Sequence, residues 1–263
     1  MLLTIDVGNS NIGFGLFQGS NLIHRFRCDS NRTNTSDQYA VFVRHALALR
    51  PKDSFGTDAP IGHIDAAIVA STVPSLTDAM VAMVRCANGC EPVVVGACTQ
   101  TGMPILCENP HEVGADRIVN AIAAYENVQG GVIVVDFGTA TTFDCVSPRG
   151  EFLGGAIVPG LRISADALFS RAAKLAHVEL TVPPRVVGRN TTHAIQSGIM
   201  FGYASLVEGM IQKMRDELGF PCAIWATGGL APVIVQLVSA IERVDQNLTY
   251  DGMRIVYERN KVP

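Results

Sequence analysis

Short apolar runs recur along the chain, and two of them end in the same way. Leu3-Thr4-Ile5-Asp6-Val7-Gly8-Asn9-Ser10 and Ile133-Val134-Val135-Asp136-Phe137-Gly138-Thr139-Ala140 each read as an apolar strand closed by Asp-x-Gly and a small polar cluster. In each half a second strand follows, over 12–17 and 141–146, then a turn containing glycine, Gln18-Gly19-Ser20-Asn21 or Ser147-Pro148-Arg149-Gly150. A third strand completes the unit over 22–28 and 151–157. Short glycine turns between apolar runs predict antiparallel hairpins, so each half opens on a meander.

Helical periodicity takes over after each meander. Thr35-Ser36-Asp37-Gln38 offers a capping box, and Tyr39, Phe42, Val43, Ala46 and Leu47 form an apolar stripe running up to Arg50. Further helices are expected at 75–88 with Gly89 as a stop, at 115–128 before Gly130-Gly131, at 163–176, at 192–218 with Gly219 as a stop, and last at 231–243. Buried strands are expected at 64–71, 92–95 and 222–227. This order predicts an α/β protein of two similar lobes, 1–110 and 111–263, each a mixed sheet that starts with an antiparallel meander and is flanked by helices. A ligand cleft is expected between the lobes, at the carboxyl ends of the strands where both Asp-x-Gly turns fall.

Composition supports a folded core and narrows the partners. Of 263 residues, 48% are hydrophobic and 17% charged, enough apolar surface to offset the entropy lost on folding. The net charge of −4 gives no basic footprint for nucleic acid. The seven cysteines are scattered and odd in number, which reads as reduced thiols packed as small hydrophobes in a reducing compartment. Cys86 and Cys90 are spaced like a metal pair, but no second pair with zinc-site spacing accompanies them. Met1-Leu2-Leu3-Thr4-Ile5-Asp6 lacks the basic region of an export signal, and the apolar runs are too short to span a bilayer, so a cytoplasmic protein without membrane segments is expected.

The turn Asp6-Val7-Gly8-Asn9-Ser10-Asn11 combines a close-approach glycine with amide and hydroxyl groups able to cradle phosphate. Asp6 alone would repel phosphate, and its presence makes sense if it holds Mg2+ through water. One such turn is equally the ordinary chemistry of a hairpin. A second copy at Asp136-Phe137-Gly138-Thr139-Ala140-Thr141-Thr142 favours the nucleotide reading, because turn geometry does not require a buried Asp at matching points of both halves. Ala226-Thr227-Gly228-Gly229-Leu230-Ala231 adds a strand-to-helix turn whose glycines let a flat ring approach. Gly114-Ala115-Asp116-Arg117 opens a helix; Asp116 suits the helix dipole there, and beside Arg117 it also suits a proton acceptor kept ionised next to an anion-gripping guanidinium.

Several enzyme classes drop out. None of the four lysines follows a glycine, so no P-loop exists. Gly13-Phe14-Gly15 lacks the third glycine of a dinucleotide fingerprint and falls within a strand. His111-Glu112 has no second histidine to complete a zinc protease motif.

The set Asp6 to Asn11, Asn109-Pro110-His111-Glu112-Val113-Gly114-Ala115-Asp116-Arg117, Asp136 to Thr142, and Asn190-Thr191 before Ala194-Ile195-Gln196-Ser197-Gly198 resembles type III pantothenate kinase over nearly the whole chain. Ala70 to Leu76 and Gly154 to Gly160 are similar to the same family. The resemblance implies the sugar kinase/actin superfold and ATP-dependent phosphorylation of pantothenate to 4'-phosphopantothenate, the first step toward coenzyme A. It implies that Asp6, Val7, Gly8, Asn9, Ser10 and Asn11 bind the ATP phosphates and orient Mg2+, with Gly138, Thr139, Gly228 and Gly229 also on ATP. Gly114, Ala115, Asp116 and Arg117 would hold pantothenate with Asp116 as proton acceptor, and Thr191 would complete the pocket. Asp136 would coordinate a monovalent cation, K+ or NH4+. A homodimer with the pocket at its interface is implied as well. Two positions depart from the family: Cys107 stands where an aromatic residue commonly lines the pocket, and Ser10 replaces the more usual Thr. Another kinase or ATP/polyphosphate hydrolase of the superfold, or a non-catalytic relative, is the alternative reading.

Overall fold

The computed structural model describes residues 1–49, 63–96, 98–172, 175 and 177–261. By spatial proximity the chain falls into two compact units. The first comprises residues 1–102, 109–123 and 248–263, and the second 103–108 and 124–247.

In the first unit β1 (Leu2–Val7), β2 (Asn11–Gln18) and β3 (Asn21–Asp29) form the expected meander. β4 (Ala66–Ser71) and β5 (Val93–Val94) extend it in parallel, giving the order β3-β2-β1-β4-β5. Alternation along the strands sends Leu3, Ile5, Val7, Ile12, Phe14 and Leu16 into one core. Helices α1 (Ser36–Ala48) and α2 (Pro74–Asn88) cover it with Tyr39, Val43, Leu76, Met80 and Met83, and burial of each large side chain is worth about 1.5–3 kcal/mol. The expected capping box forms: Thr35 Oγ1 accepts from Gln38 N and Gln38 Oε1 from Thr35 N. Arg50, the end of the helix expected there, lies outside the described residues.

The helix α3 (Ala115–Val128) has the expected bounds. In the second unit β6 (Val132–Phe137), β7 (Ala140–Val146) and β8 (Phe152–Pro159) repeat the meander. After α4 (Leu161–Arg171) and α5 (Thr191–Leu218), β9 (Ala223–Thr227) pairs in parallel with β6. With β10 (Arg243–Val244) the order is β10-β9-β6-β7-β8, the arrangement of the first sheet repeated. On α5 the buried residues Met200, Tyr203, Ala204, Val207 and Ile211 recur at helical spacing and pack on Ile133, Val135, Phe143 and Cys145.

Three helix expectations change. Helix α4 stops at Arg171, and Ala176, the expected end, lies outside the described residues. The helix expected at 231–243 is only α6 (Ala231–Ile234) and a 3-10 turn over Val235–Leu237. Ala231, Ile234, Val238 and Ile241 are buried at helical spacing, which is what the sequence displays, but Glu242 N and Asp245 N donate to the carbonyls of Ile224 and Ala226. Pairing with the open edge of β9 wins over continuing the helix. The sequence reading also placed nothing after residue 243, where α7 (Leu248–Asn260) forms in the first unit.

Candidate active site

Within the first unit the acidic turn and the start of α3 are neighbours. Gly8 N donates to Asn11 O (3.1 Å), closing the turn, and Ser30 Oγ holds Gly8 O at 2.5 Å. Arg32 Nη2 donates to Asn9 Oδ1 (3.4 Å). Asn9, Ser10 and Asn11 are exposed, whereas Val7 is buried and Asp6 half-buried. The carbonyl of Val7 accepts from both the backbone N–H (3.0 Å) and the hydroxyl (3.2 Å) of Thr72. The methyl carbon of Thr72 lies 3.6 Å from where a Cβ would stand at Gly114, so the strand bearing Asp6 and the turn bearing Asp116 share one side chain as a spacer.

Gly114 is required there by its neighbour. A Cβ would lie 2.5 Å from Asp116 Oδ1, so the carboxylate occupies the space that any other residue would fill. Ile118 N donates to Gly114 O, which starts the helix, and Asp116 Oδ1 accepts from Arg117 N at 2.8 Å. Ala115 is buried, and Asp116 and Arg117 are half-buried. Burial raises the Asp116 carboxyl above its ordinary range, and the Arg117 N–H and guanidinium pull it only partly back. The sequence led to a carboxylate kept ionised by its surroundings; burial instead outweighs the cation and makes it a stronger base.

In the second unit Asp136 is the last residue but one of β6 and half-buried, with Gly138 and Thr139 exposed after the strand. Its Oδ1 is 2.5 Å from the Cβ position of Gly228, whose φ is 92°, and 3.7 Å from that of Gly138. The structure thus brings the Asp136 turn and the Gly228-Gly229 turn together, the latter held by Gln246 Nε2 on Gly228 O (3.0 Å). Gly160 packs against the carbonyls of Gly138 and Thr139. Thr191 opens α5 behind the cap formed by Asn190 Oδ1 and His193 N (2.8 Å). It lines a cavity of 440 Å³ with Leu168, Leu175, Ala194, Ile195, Gly198 and Ile199. Cys107 is half-buried, its sulfur 3.7 Å from the Cβ position of Gly154.

Comparison with known proteins decides what this constellation belongs to. Residues 2–213 match the family model described as type III pantothenate kinase. The chain belongs to the type III pantothenate kinase family. The enzymes of that name from Myxococcus xanthus and Moorella thermoacetica are 48% and 50% identical to it over 260 residues, covering 99% of this chain and 99% and 100% of theirs. A solved ROK family glucokinase from Streptomyces griseus, in complex with glucose and AMPPNP, superposes with a TM-score of 0.55 at 13% identity, covering 98% of this chain and 100% of that one. That likeness concerns the fold alone, and with the two repeated five-stranded sheets it identifies the actin-like sugar kinase architecture in this pantothenate kinase.

The residues present fit the cations that the sequence resemblance implies. Asp6 is one carboxylate at a strand end beside exposed Asn and Ser side chains, the donor set of a cation that keeps most of its water. Asp136 offers hard oxygen among glycine backbone, with the Thr142 hydroxyl and Thr227 paired beside it in register. Sequence reasoning missed Ser30, Arg32 and Tyr250 in this pantothenate kinase. The first two carry no motif of their own. Tyr250 had an indirect signal in Gly13 and Gly15, read only as a failed dinucleotide fingerprint: its ring fills the notch that both leave, with Oη 2.5 Å from the Cβ position of Gly13.

Proposed function

We propose that this pantothenate kinase transfers the γ-phosphoryl group of ATP to the hydroxyl of pantothenate, forming 4'-phosphopantothenate toward coenzyme A, with Asp116 as the general base. Phosphoryl transfer has a loose transition state, so alignment and charge neutralisation carry most of the rate. Asp116 takes the hydroxyl proton, and its burial-raised pKa brings it closer to the range where a base works best. Arg117 grips the anionic end of pantothenate, and Gly114, Ala115 and Thr191 complete its surroundings. Cys107 leaves room where an aromatic residue would press on the substrate.

The turn from Asp6 to Asn11 receives the phosphates through backbone and side-chain donors, and Gly138, Thr139, Gly228 and Gly229 contact ATP. Asp6 holds Mg2+ through water and Asp136 holds K+ or NH4+, ions whose chemistry is to neutralise phosphate charge. The enzyme works as a cytoplasmic homodimer with its substrate pocket at the subunit interface.

The observation that carries the reading is the shared contact of Thr72 with Val7 and Gly114, which keeps the base and the phosphate turn within one compact unit. A coupled assay of ADP formation with pantothenate, Mg2+ and ATP, run with and without K+, tests it. Turnover that needs pantothenate and rises with K+ is the expected result. Equal ADP release with and without pantothenate would replace the kinase by a hydrolase.

A further inference from the structure

The C-terminal helix is the element that no sequence motif announced, and it touches the helix bearing Asp116 at two successive residues. Asn120 lies four residues after Asp116 on α3, one turn along the same face. It is 1% exposed, and its Oδ1 accepts from Thr249 Oγ1 on α7 at 2.8 Å. Three residues further along α7, Gly252 packs so closely on the backbone of Val119 that a Cβ there would overlap the Val119 carbonyl. Thr249 and Gly252 share one face of α7, and their partners are adjacent on α3. Apolar packing alone would let two helices slide or rotate, whereas a directed bond beside a backbone contact fixes both coordinates.

The same helix is fastened to the strands on which Asp6 sits. Tyr250 lies over Gly13 and Gly15, and Gly13 is the register partner of Asp6. At its far end Asn260 Nδ2 donates to Gln100 O (2.9 Å), and the Arg259 guanidinium donates to Thr101 O. Helix α7 therefore grips the strand pair of the phosphate turn and the helix of the base at once.

We infer that Thr249 is a positioning residue for this reaction, holding α3 through Asn120 so that Asp116 stands in register with the turn that receives the phosphates. The inference rests on the reading of Asp116 as the base. Misplacing a reacting group by about 1 Å can cost about 100-fold in rate, so a bond one turn from the base is well placed to matter.

The test compares Thr249→Val, which keeps the shape and removes the bond, with Thr249→Ser, which restores the hydroxyl, and with Asp116→Asn, all in the full chain. Turnover in T249V is expected to fall about 10- to 100-fold while KM for ATP and for pantothenate stay within about threefold, and T249S to recover most of it. Rescue by the hydroxyl and the split between kcat and KM are readouts that a loss of general stability would not give. If T249V melts below the assay temperature, Thr249→Ala and T249S are compared at a temperature where both are folded, and equal turnover in the two overturns the inference. Wild-type turnover in a folded T249V, with D116N inactive, would overturn the positioning role alone. Full turnover in D116N would remove the base itself, and this inference with it.

Discussion

Across from Asp6 in the first sheet stand Gly13 on the antiparallel side and Ala70 on the parallel side, whereas Asp136 in the second sheet is flanked by Thr142 and Thr227. The strand order is the same in both sheets, so the fold carries each carboxylate to an equivalent strand end, and the neighbours decide what it meets there. Beside Asp6 the missing side chains are replaced by the ring of Tyr250, whose hydroxyl is pushed up to about 12 by burial and by the charge of Asp6. Beside Asp136 there are hydroxyls, one of them, Thr142 Oγ1, donating to the fully buried Asp144 at 3.1 Å, and a glycine turn folded against the carboxylate. A repeated scaffold has thus been given two electrostatic settings. The first suits a strongly hydrated cation held at arm's length, the second an ion that accepts direct oxygen contact.

Asp116, the proposed base, belongs to the first unit, so the sharpest test of the comparison is Asp116→Asn. It should lower kcat by about 100- to 10,000-fold, the usual range for a lost general base, with the fold intact by circular dichroism. Near-normal turnover would take Asp116 out of the mechanism. Next in size, Asp6→Asn and Asp136→Asn should separate the two settings: each removes a charge-assisted contact worth about 1.5–3 kcal/mol, about 10- to 100-fold in the half-saturating ion concentration. D6N should shift the Mg2+ titration and D136N the K+ titration. Both variants shifting the same ion would show that the settings are not distinct. A smaller effect is expected from Gly228→Ala, whose Cβ would press on Asp136 Oδ1 and on the backbone of Phe137 at φ 92°, a strain of about 1–3 kcal/mol. Its thermal midpoint should drop and KM for ATP should rise, and an unchanged midpoint would mean that the turn yields freely.

The parts of this molecule that could be read in advance are those where one local rule decides. The meanders follow from alternation and turn glycines, the capping box from four residues in a row, and α3 from its helical stripe and the glycines after it. The parts that could not be read depend on a partner remote in sequence. The stretch after Leu237 has helical spacing of its buried residues, and only the free edge of β9 makes it leave the helix. Helix α7 carries Gly252 in its second turn, a residue that costs about 1 kcal/mol in an isolated helix, and it becomes favourable because Val119 needs the space. At the candidate site, the motif residues stood out because the same acidic glycine turn recurs at matching points of both halves, which hairpin chemistry alone does not require. Ser30, Tyr250 and Asn120 did not, since a serine, a tyrosine and an asparagine gain meaning only from what they face.

The smallest expected effect concerns what Asp116 costs the fold. Its pKa is raised in the folded state, so the native protein holds that proton more tightly than the unfolded chain does. Linkage then gives the sign: above the raised value the carboxylate is ionised in both states and its burial is a penalty, and below the ordinary carboxylate range it is protonated in both and the penalty is gone. Stability from this group therefore falls as pH rises through the window between the two values. Asn at this position carries no charge to bury, so D116N should melt at the same temperature as the wild type or slightly above it near pH 8, and the gap should close as the pH is lowered toward 4. If Asp116 is the base, as proposed, the same raised value predicts that the acid limb of kcat/KM in the wild type lies above the range of an exposed aspartate, because a base must be ionised to accept the proton. Melting curves and a pH–rate profile on the two proteins check both statements. A wild type more stable than D116N at every pH would mean that the Arg117 contacts outweigh burial, and the base would then be a weak one held ionised by its neighbour.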